Sequence, residues 1–163
     1  MLWFTHQAKG GCMNFKNILL PIEFNDTSKL FLKELLHTHE FSESNFYLLN
    51  VVDISDTYLY SGRHLGIPAN LSDEIAEAAK QDMEVIKKEF FYEKGDSTIS
   101  THVRKGLSIS EEIVSFVKNN DIDLVIMPSH ARKGIQRMFL GSVTEQVLRD
   151  CPCPVLTVRN KDI

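Results

Sequence analysis

From Lys16 onward, short continuous apolar runs alternate with longer stretches whose apolar residues recur every three or four positions. The first pattern suits a strand buried on both faces, the second an amphipathic helix. Ile18–Glu23 is such a run, punctuated by Pro21 and short enough for a buried strand. Asp26, Thr27 and Ser28 supply helix-capping side chains, and Phe31, Leu32, Leu35 and Leu36 follow at helical spacing. Phe46–Val52 reads as a second buried strand. Residues 53–70 hold Gly62, Gly66 and Pro68 without a period and read as a long loop, placed to fold over a pocket as a lid. A helix is predicted next, with Ile75, Ala79, Met83, Ile86 and Phe90 on one stripe and Gly95-Asp96 at its end.

Ser97–Val103 alternates, with Ile99, Thr101 and Val103 on one side. Ser108-Ile109-Ser110-Glu111 is a capping box, opening a helix striped by Ile109, Ile113, Phe116 and Val117. Leu124–Met127 is a fully apolar fourth strand. A second capping box, Ser142 to Glu145, opens a last helix to Asp150, and Val155–Val158 is a fifth strand. Strands alternating with helices predict an α/β fold, a five-stranded parallel sheet with helices on both faces. The third strand is the most polar and belongs at an edge, whereas the first and fourth belong in the middle. That favours the order 3-2-1-4-5 over 2-1-3-4-5, which would bury the third strand centrally. Ligands of such Rossmann-like sheets bind at the strands' carboxyl ends where the winding reverses. Here the reversal lies between strands one and four, which singles out Pro21–Asp26 and Met127–Ser142.

A length of 163 residues suits one domain, and 43% apolar with 25% charged residues excludes disorder over most of it. Twenty-two acids against 18 bases leave a net charge of −4. Non-specific nucleic-acid binding runs on phosphate neutralisation and usually needs a basic excess, so this balance argues against it. The apolar runs are too short to cross a bilayer, which argues against a membrane partner. Three cysteines, an odd number in a chain too long to need disulfide staples, point to a reducing, cytoplasmic setting. Met1–Cys12 has neither a helical nor a strand period. Residues 1–13 are therefore read as a disordered leader or one that precedes an alternative start, with 14–159 the single domain and 160–163 a short tail.

Residues 128–142 change the electrostatic picture locally, with Arg132, Lys133 and Arg137 and no acid. Gly141 and Ser142 then start a helix, whose free N–H groups and dipole favour an anion. An ordinary solvated loop with a normal cap accounts equally for the same residues. Cys151-Pro152-Cys153 lacks the C-x-x-C spacing of redox and zinc sites. His37 and His39 on a helix would point to different faces, so no metal pair is expected. His130 is read as shaping its turn. No nucleophile elbow, Walker A lysine or dinucleotide fingerprint is present, so no residue is assigned a catalytic role.

Residues 16–26 (KNILLPIEFND) and 123–158 (DLVIMPSHARKGIQRMFLGSVTEQVLRDCPCPVLTV) resemble the universal stress protein family, the UspA-like domain, over about Asn14 to Arg159. The resemblance implies an adenine nucleotide alpha hydrolase-like fold and a phosphate-cradling motif of Gly-x-x-Gly followed further on by Gly-Ser/Thr. Gly141 and Ser142 match the final pair, while Pro128 and Ala131 stand where the first two glycines would be. Proline brings no N–H. Alanine adds a Cβ, which costs roughly 1 kcal/mol or more where φ is positive. By resemblance, Glu23, beside Pro21 and Ile22, sits near the base or ribose, and Val51 meets the adenine. Met127, Ser129, His130, Arg132 and Val143 fall on the phosphate-loop path. The Pro-Cys-Pro lead into the last strand is common in the family and implies that Cys153 is buried structure.

The function implied is a cytoplasmic stress-response module that binds ATP or AMP, with Mg or Mn only alongside the nucleotide. It also implies a homodimer through the last strand, Val155–Arg159. Pro128 and Ala131 favour a rival, a member that binds no nucleotide and acts through dimerisation and partner contacts. A slow ATP hydrolase has the least support.

Overall fold

The computed structural model of the protein describes residues 15–36, 41, 43–55, 70–91, 98–128 and 141–158. Its strands are β1 (Asn17–Pro21), β2 (Asn45–Asp53), β3 (Ile99–Gly106), β4 (Leu124–Pro128) and β5 (Val155–Val158). Its helices are α1 (Asp26–Leu36), α2 (Leu71–Phe91), α3 (Ile109–Asn119) and α4 (Ser142–Asp150). All strand pairs are parallel and the sheet order is β3-β2-β1-β4-β5, the order expected from the polarity of the third strand.

Side-chain alternation divides the core into two layers. Ile18, Leu20, Phe46, Leu48, Leu124 and Ile126 pack with Phe31, Leu32 and Leu35 of α1 and with Met83, Ile86 and Phe91 of α2. Leu19, Leu49, Val125 and Met127 point the other way, onto Ile113, Phe116 and Val117 of α3 and Val147 of α4. Strands that are apolar on consecutive residues thus serve both layers, which is why they read as continuous runs.

Several boundaries differ from the sequence expectation. The first strand ends at Pro21 rather than Glu23. The third runs Ile99–Gly106 rather than Ser97–Val103, because its ladder with the long β2 continues from Phe46↔Ile99 to Asp53↔Gly106 beyond the apolar alternation. On α2, Ile75 is 43% exposed and Phe90 only partly buried. The buried line is Ala76, Ala79, Met83 and Ile86, whose spacings of three and four hold one face.

Two caps also differ. Asn25, not Asp26–Ser28, caps α1: its Oδ1 accepts the Ser28 N–H at 2.9 Å. Ser108 caps α3 as expected, accepting the Glu111 N–H at 3.4 Å. Ser142, however, is the first helical residue of α4 and Gly141 is its cap, since the Gly141 carbonyl already accepts the Glu145 N–H at 3.0 Å. The expected leader, most of the lid loop, Gly95-Asp96, His37, His39 and the 160–163 tail lie outside the described residues.

Candidate functional site

The parallel ladder determines where the sheet opens. Ile22 N–H donates to Leu49 C=O at 2.8 Å and so faces β2. Backbone groups of a central strand alternate between its two neighbours, which turns Pro21 toward β4 with no N–H to offer. On β4, Val125 N–H donates to Pro154 C=O at 3.0 Å and so faces β5. By the same alternation Pro128 is turned toward β1, again without a donor. Pairing between β1 and β4 accordingly runs only from Ile18↔Leu124 to Leu19↔Val125. β4 stays paired with β5 through Pro128↔Val158. The β1–β4 ladder therefore stops short of the strands' carboxyl ends at the winding reversal, between two prolines.

Polar side chains hold the β1 side of this opening. The Ile22 carbonyl accepts the buried Asn50 Nδ2 at 2.8 Å. Glu23 is exposed; its N–H donates to Ser28 Oγ at 3.3 Å and its Oε2 accepts Asn25 Nδ2 at 2.7 Å. Asn25 thus caps α1 and steadies the Glu23 carboxylate at once. Asn25 falls in the Pro21–Asp26 stretch singled out from the sequence but carried no assigned role there, and Ser28 and Asn50 were not expected at the site. Their signals were an asparagine just ahead of a helical run and a lone amide inside the apolar Tyr47–Val52 stretch.

On the β4 side, Val51, Met127 and Val143 join one apolar cluster on the α3–α4 face. Met127 and Pro128 are buried, whereas Val51 and Val143 are half-buried. Gly141 is extended (φ −59°, ψ 154°), and no described heavy atom lies within 4 Å of where its Cβ would be. Its backbone conformation therefore does not demand glycine, but the bare Cα leaves the helix end open to close approach. The first helical bond is Glu145 to Gly141, so the N–H groups of Ser142, Val143 and Thr144 have no intrahelical acceptor. The Ser142 hydroxyl is exposed and not used as a cap.

The structure therefore brings Pro21, Ile22 and Glu23 to one lip of the opening and Met127 and Pro128 to the other. Val51 and Val143 pack against the apolar cluster that contains Met127. Ser129, His130, Ala131 and Arg132, with Lys133 and Arg137, lie outside the described residues. At the end of β2, hydrogen bonds from Ser55, including its N–H to Asp53 Oδ1 at 2.8 Å, hold the Asp53 carboxyl below the usual carboxylate range. Among the described residues no group of three or more His, Cys, Asp or Glu side chains is placed to hold a metal. No described helix is long and apolar enough to cross a membrane. A groove of about 430 Å³ lined by Glu84, Thr101, His102, Arg104 and Phe116 lies at the β3 edge, away from the strand opening.

Known proteins agree with this architecture. The model of the Usp, universal stress protein, family matches residues 14–159. Universal stress protein MJ0531 of Methanocaldococcus jannaschii is 31% identical over 150 residues, 89% of this chain and 82% of the relative. MJ0577 of the same organism is 30% identical over 161 residues, 91% of this chain and 97% of the relative. Its solved structure superposes with a TM-score of 0.70 over 91% of this chain and 99% of that one. A universal stress protein solved in complex with cAMP shares the fold at a TM-score of 0.53 and 14% identity, covering 89% of this chain and 97% of that one. The chain belongs to the universal stress protein family.

Proposed function

We propose that the protein is a stress-response module that binds an adenine nucleotide, ATP or AMP, where β1 and β4 part. The observation that carries this reading is the loss of β1–β4 pairing after Leu19↔Val125, together with a helix after β4 that begins at an open glycine. Three backbone N–H groups without intrahelical acceptors, at the positive end of α4, suit phosphate oxygens. The half-buried Val51 and Val143, packed against the cluster that contains Met127, suit the flat face of a purine. Glu23, held by Asn25, suits a ribose or base donor at the rim. Ser129, His130, Ala131 and Arg132 are assigned to the phosphate path by family resemblance. A fold-mate in complex with cAMP supports adenine as the class of base. A magnesium or manganese ion accompanying ATP would draw its oxygen ligands from phosphate and water.

The site has no assigned catalytic base, and the proposed role is binding and signalling in the cytoplasm rather than turnover. The proposed assembly is a homodimer through Val155–Arg159, without nucleic-acid or membrane partners. Residues 1–13 are proposed to precede the domain and 160–163 to trail it.

Pro128 favours a second reading, because its ring faces the opening where a backbone donor would serve a phosphate. In that case the module works through dimerisation and partner contacts alone. Calorimetric titration of ATP and of AMP, with and without Mg²⁺, separates the two. Saturable binding that Ser142→Ala weakens about three- to tenfold, the worth of one hydrogen bond, is the expected result. Absence of heat from the unsubstituted protein, with binding gained in Pro128→Gly, would establish the second reading instead.

A further inference from the structure

Cys151 and Cys153 flank Pro152 where the chain leaves α4 and turns into β5. Both ends of this link are anchored. Cys151 caps α4 with its N–H on Val147 C=O at 2.9 Å, and Pro154 C=O accepts the Val125 N–H at 3.0 Å. Between the anchors the chain bends at Pro152–Cys153, and the two sulfurs lie 3.6 Å apart. The bend matters, because two fully extended 3.8 Å steps would exceed the Cα separation of about 4.4–6.8 Å that a disulfide tolerates. Both thiols lean on the α3–α4 core cluster yet are only half-buried, which corrects the expectation that Cys153 is buried structure. Inert structural cysteines are fully enclosed; these two are not.

We infer that Cys151 and Cys153 form a peroxide-reactive dithiol, Cys151 attacking and Cys153 resolving, that closes to a disulfide within one chain. The roles follow from the surroundings. The hydrogen bond shared with the Cys153 thiol holds the Cys151 thiol down to about 7 against the effect of burial, helped by the Cys153 backbone and the Lys118 charge. The same hydrogen bond, burial and the negative charges of Cys151 and Asp123 push the Cys153 thiol up. The Lys118 charge on the Cys151 side and the Asp123 charge on the Cys153 side thus both favour the anion on Cys151.

In the first step the Cys151 thiolate attacks a peroxide oxygen, breaking the O–O bond and releasing hydroxide, which leaves Cys151 as a sulfenic acid. The Cys153 sulfur then attacks the Cys151 sulfur; the S–S bond forms as the S–O bond breaks, and hydroxide leaves with the Cys153 proton as water. In sum, two thiols and one hydrogen peroxide give one disulfide and two waters, with two electrons passing to the peroxide. The sulfurs need only approach by roughly 1.5 Å to reach bonding distance. A ring closed across a single residue is strained, so an external dithiol reopens it readily.

The test uses the full chain carrying Cys12→Ser, which leaves this pair as its only thiols. After one equivalent of hydrogen peroxide, the intact protein is expected to lose the mass of two hydrogens, stay a single chain without reductant, and regain the mass in dithiothreitol. The tryptic peptide Asp150–Arg159 holds both cysteines and carries the same mass change. That peptide, read also from the unsubstituted protein, makes the result independent of the Cys12 replacement. Cys153→Ser should stop at a sulfenic acid that dimedone traps, and Cys151→Ser should react about tenfold more slowly or less. Oxygen added to either sulfur without loss of hydrogen, a bond between chains, or equal rates in the two single variants would overturn the proposal.

Discussion

A single amide and a single imidazole show how much of the fold rests on individual polar groups. Asn50 is buried and its Nδ2 satisfies the Ile22 carbonyl, tying β2 to the turn that carries Glu23. Asn50→Ala strands that carbonyl, and a loss of about 1–3 kcal/mol in urea unfolding is expected. His102, on β3, has its ring 4.9 Å from that of Phe116 and 6.0 Å from that of Tyr47, and its Nε2 pairs with Ser100 Oγ at 3.0 Å. Burial, then the nearby Arg104 charge, pull its pKa below the ordinary 6.5. The folded state therefore resists a proton that the unfolded chain accepts. Its contribution to stability is full above pH 6.5 and is lost as the pH falls from there through the lowered value. NMR titration of the His102 ring should give a midpoint below 6.5, and His102→Gln should remove that component of the acid-side decline. A midpoint at or above 6.5 would contradict the packing.

Helix starts separate what local sequence encodes from what tertiary geometry decides. Ser108 and Ser142 look alike in sequence, each followed three residues later by glutamate, yet only Ser108 has the cap bond. Ser108→Ala should cost about 1 kcal/mol in thermal or urea unfolding. Ser142→Ala should shift stability by no more than about 0.5 kcal/mol while weakening nucleotide binding, a contrast that a true cap at Ser142 would abolish. Alternation and polarity were enough to order the strands, because an edge strand tolerates Ser100, Thr101 and His102 where a central one would not. The last strand's short apolar run and the α3 stripe were legible for the same reason. Ile75 was misplaced because a stripe sampled at i and i+4 does not reveal that Ala76 starts the buried line. The opening between β1 and β4 was only half legible. Both prolines are visible in the sequence, but their effect depends on which neighbour each backbone nitrogen faces, and that phase appears only once the ladder is built. Asn25 and Asn50 escaped for a similar reason, since their partners are main-chain or rim groups that no spacing rule names.

The sheet has two edges, and they are not equivalent. β3 carries Arg104 and Lys105, and charged side chains on an edge discourage a second strand from adding. β5 reads VLTV, without a charge, and is only four residues long. A two-fold assembly brings like against like, so β5 of one copy would meet β5 of another in antiparallel fashion. Which backbone groups do the pairing follows from the ladder. Pro154 C=O faces β4, as its bond to Val125 N–H requires, so Leu156 and Val158 also turn inward and Val155 and Thr157 turn out. Leu156 and Val158 side chains, moreover, help close the α1–α2 core layer and cannot be altered without disturbing the fold. Thr157 is the position at which assembly and folding come apart. Proline is tolerated on an edge where its missing N–H points to solvent, so Thr157→Pro removes an outward donor and leaves the bonds to β4 intact. Sedimentation equilibrium should find a dimer for the unsubstituted protein and for Thr157→Val. Thr157→Pro should sediment as a monomer with an unchanged far-ultraviolet circular dichroism spectrum. A Thr157→Pro protein that still dimerises would move the interface off this edge, and a monomeric unsubstituted protein would remove it altogether.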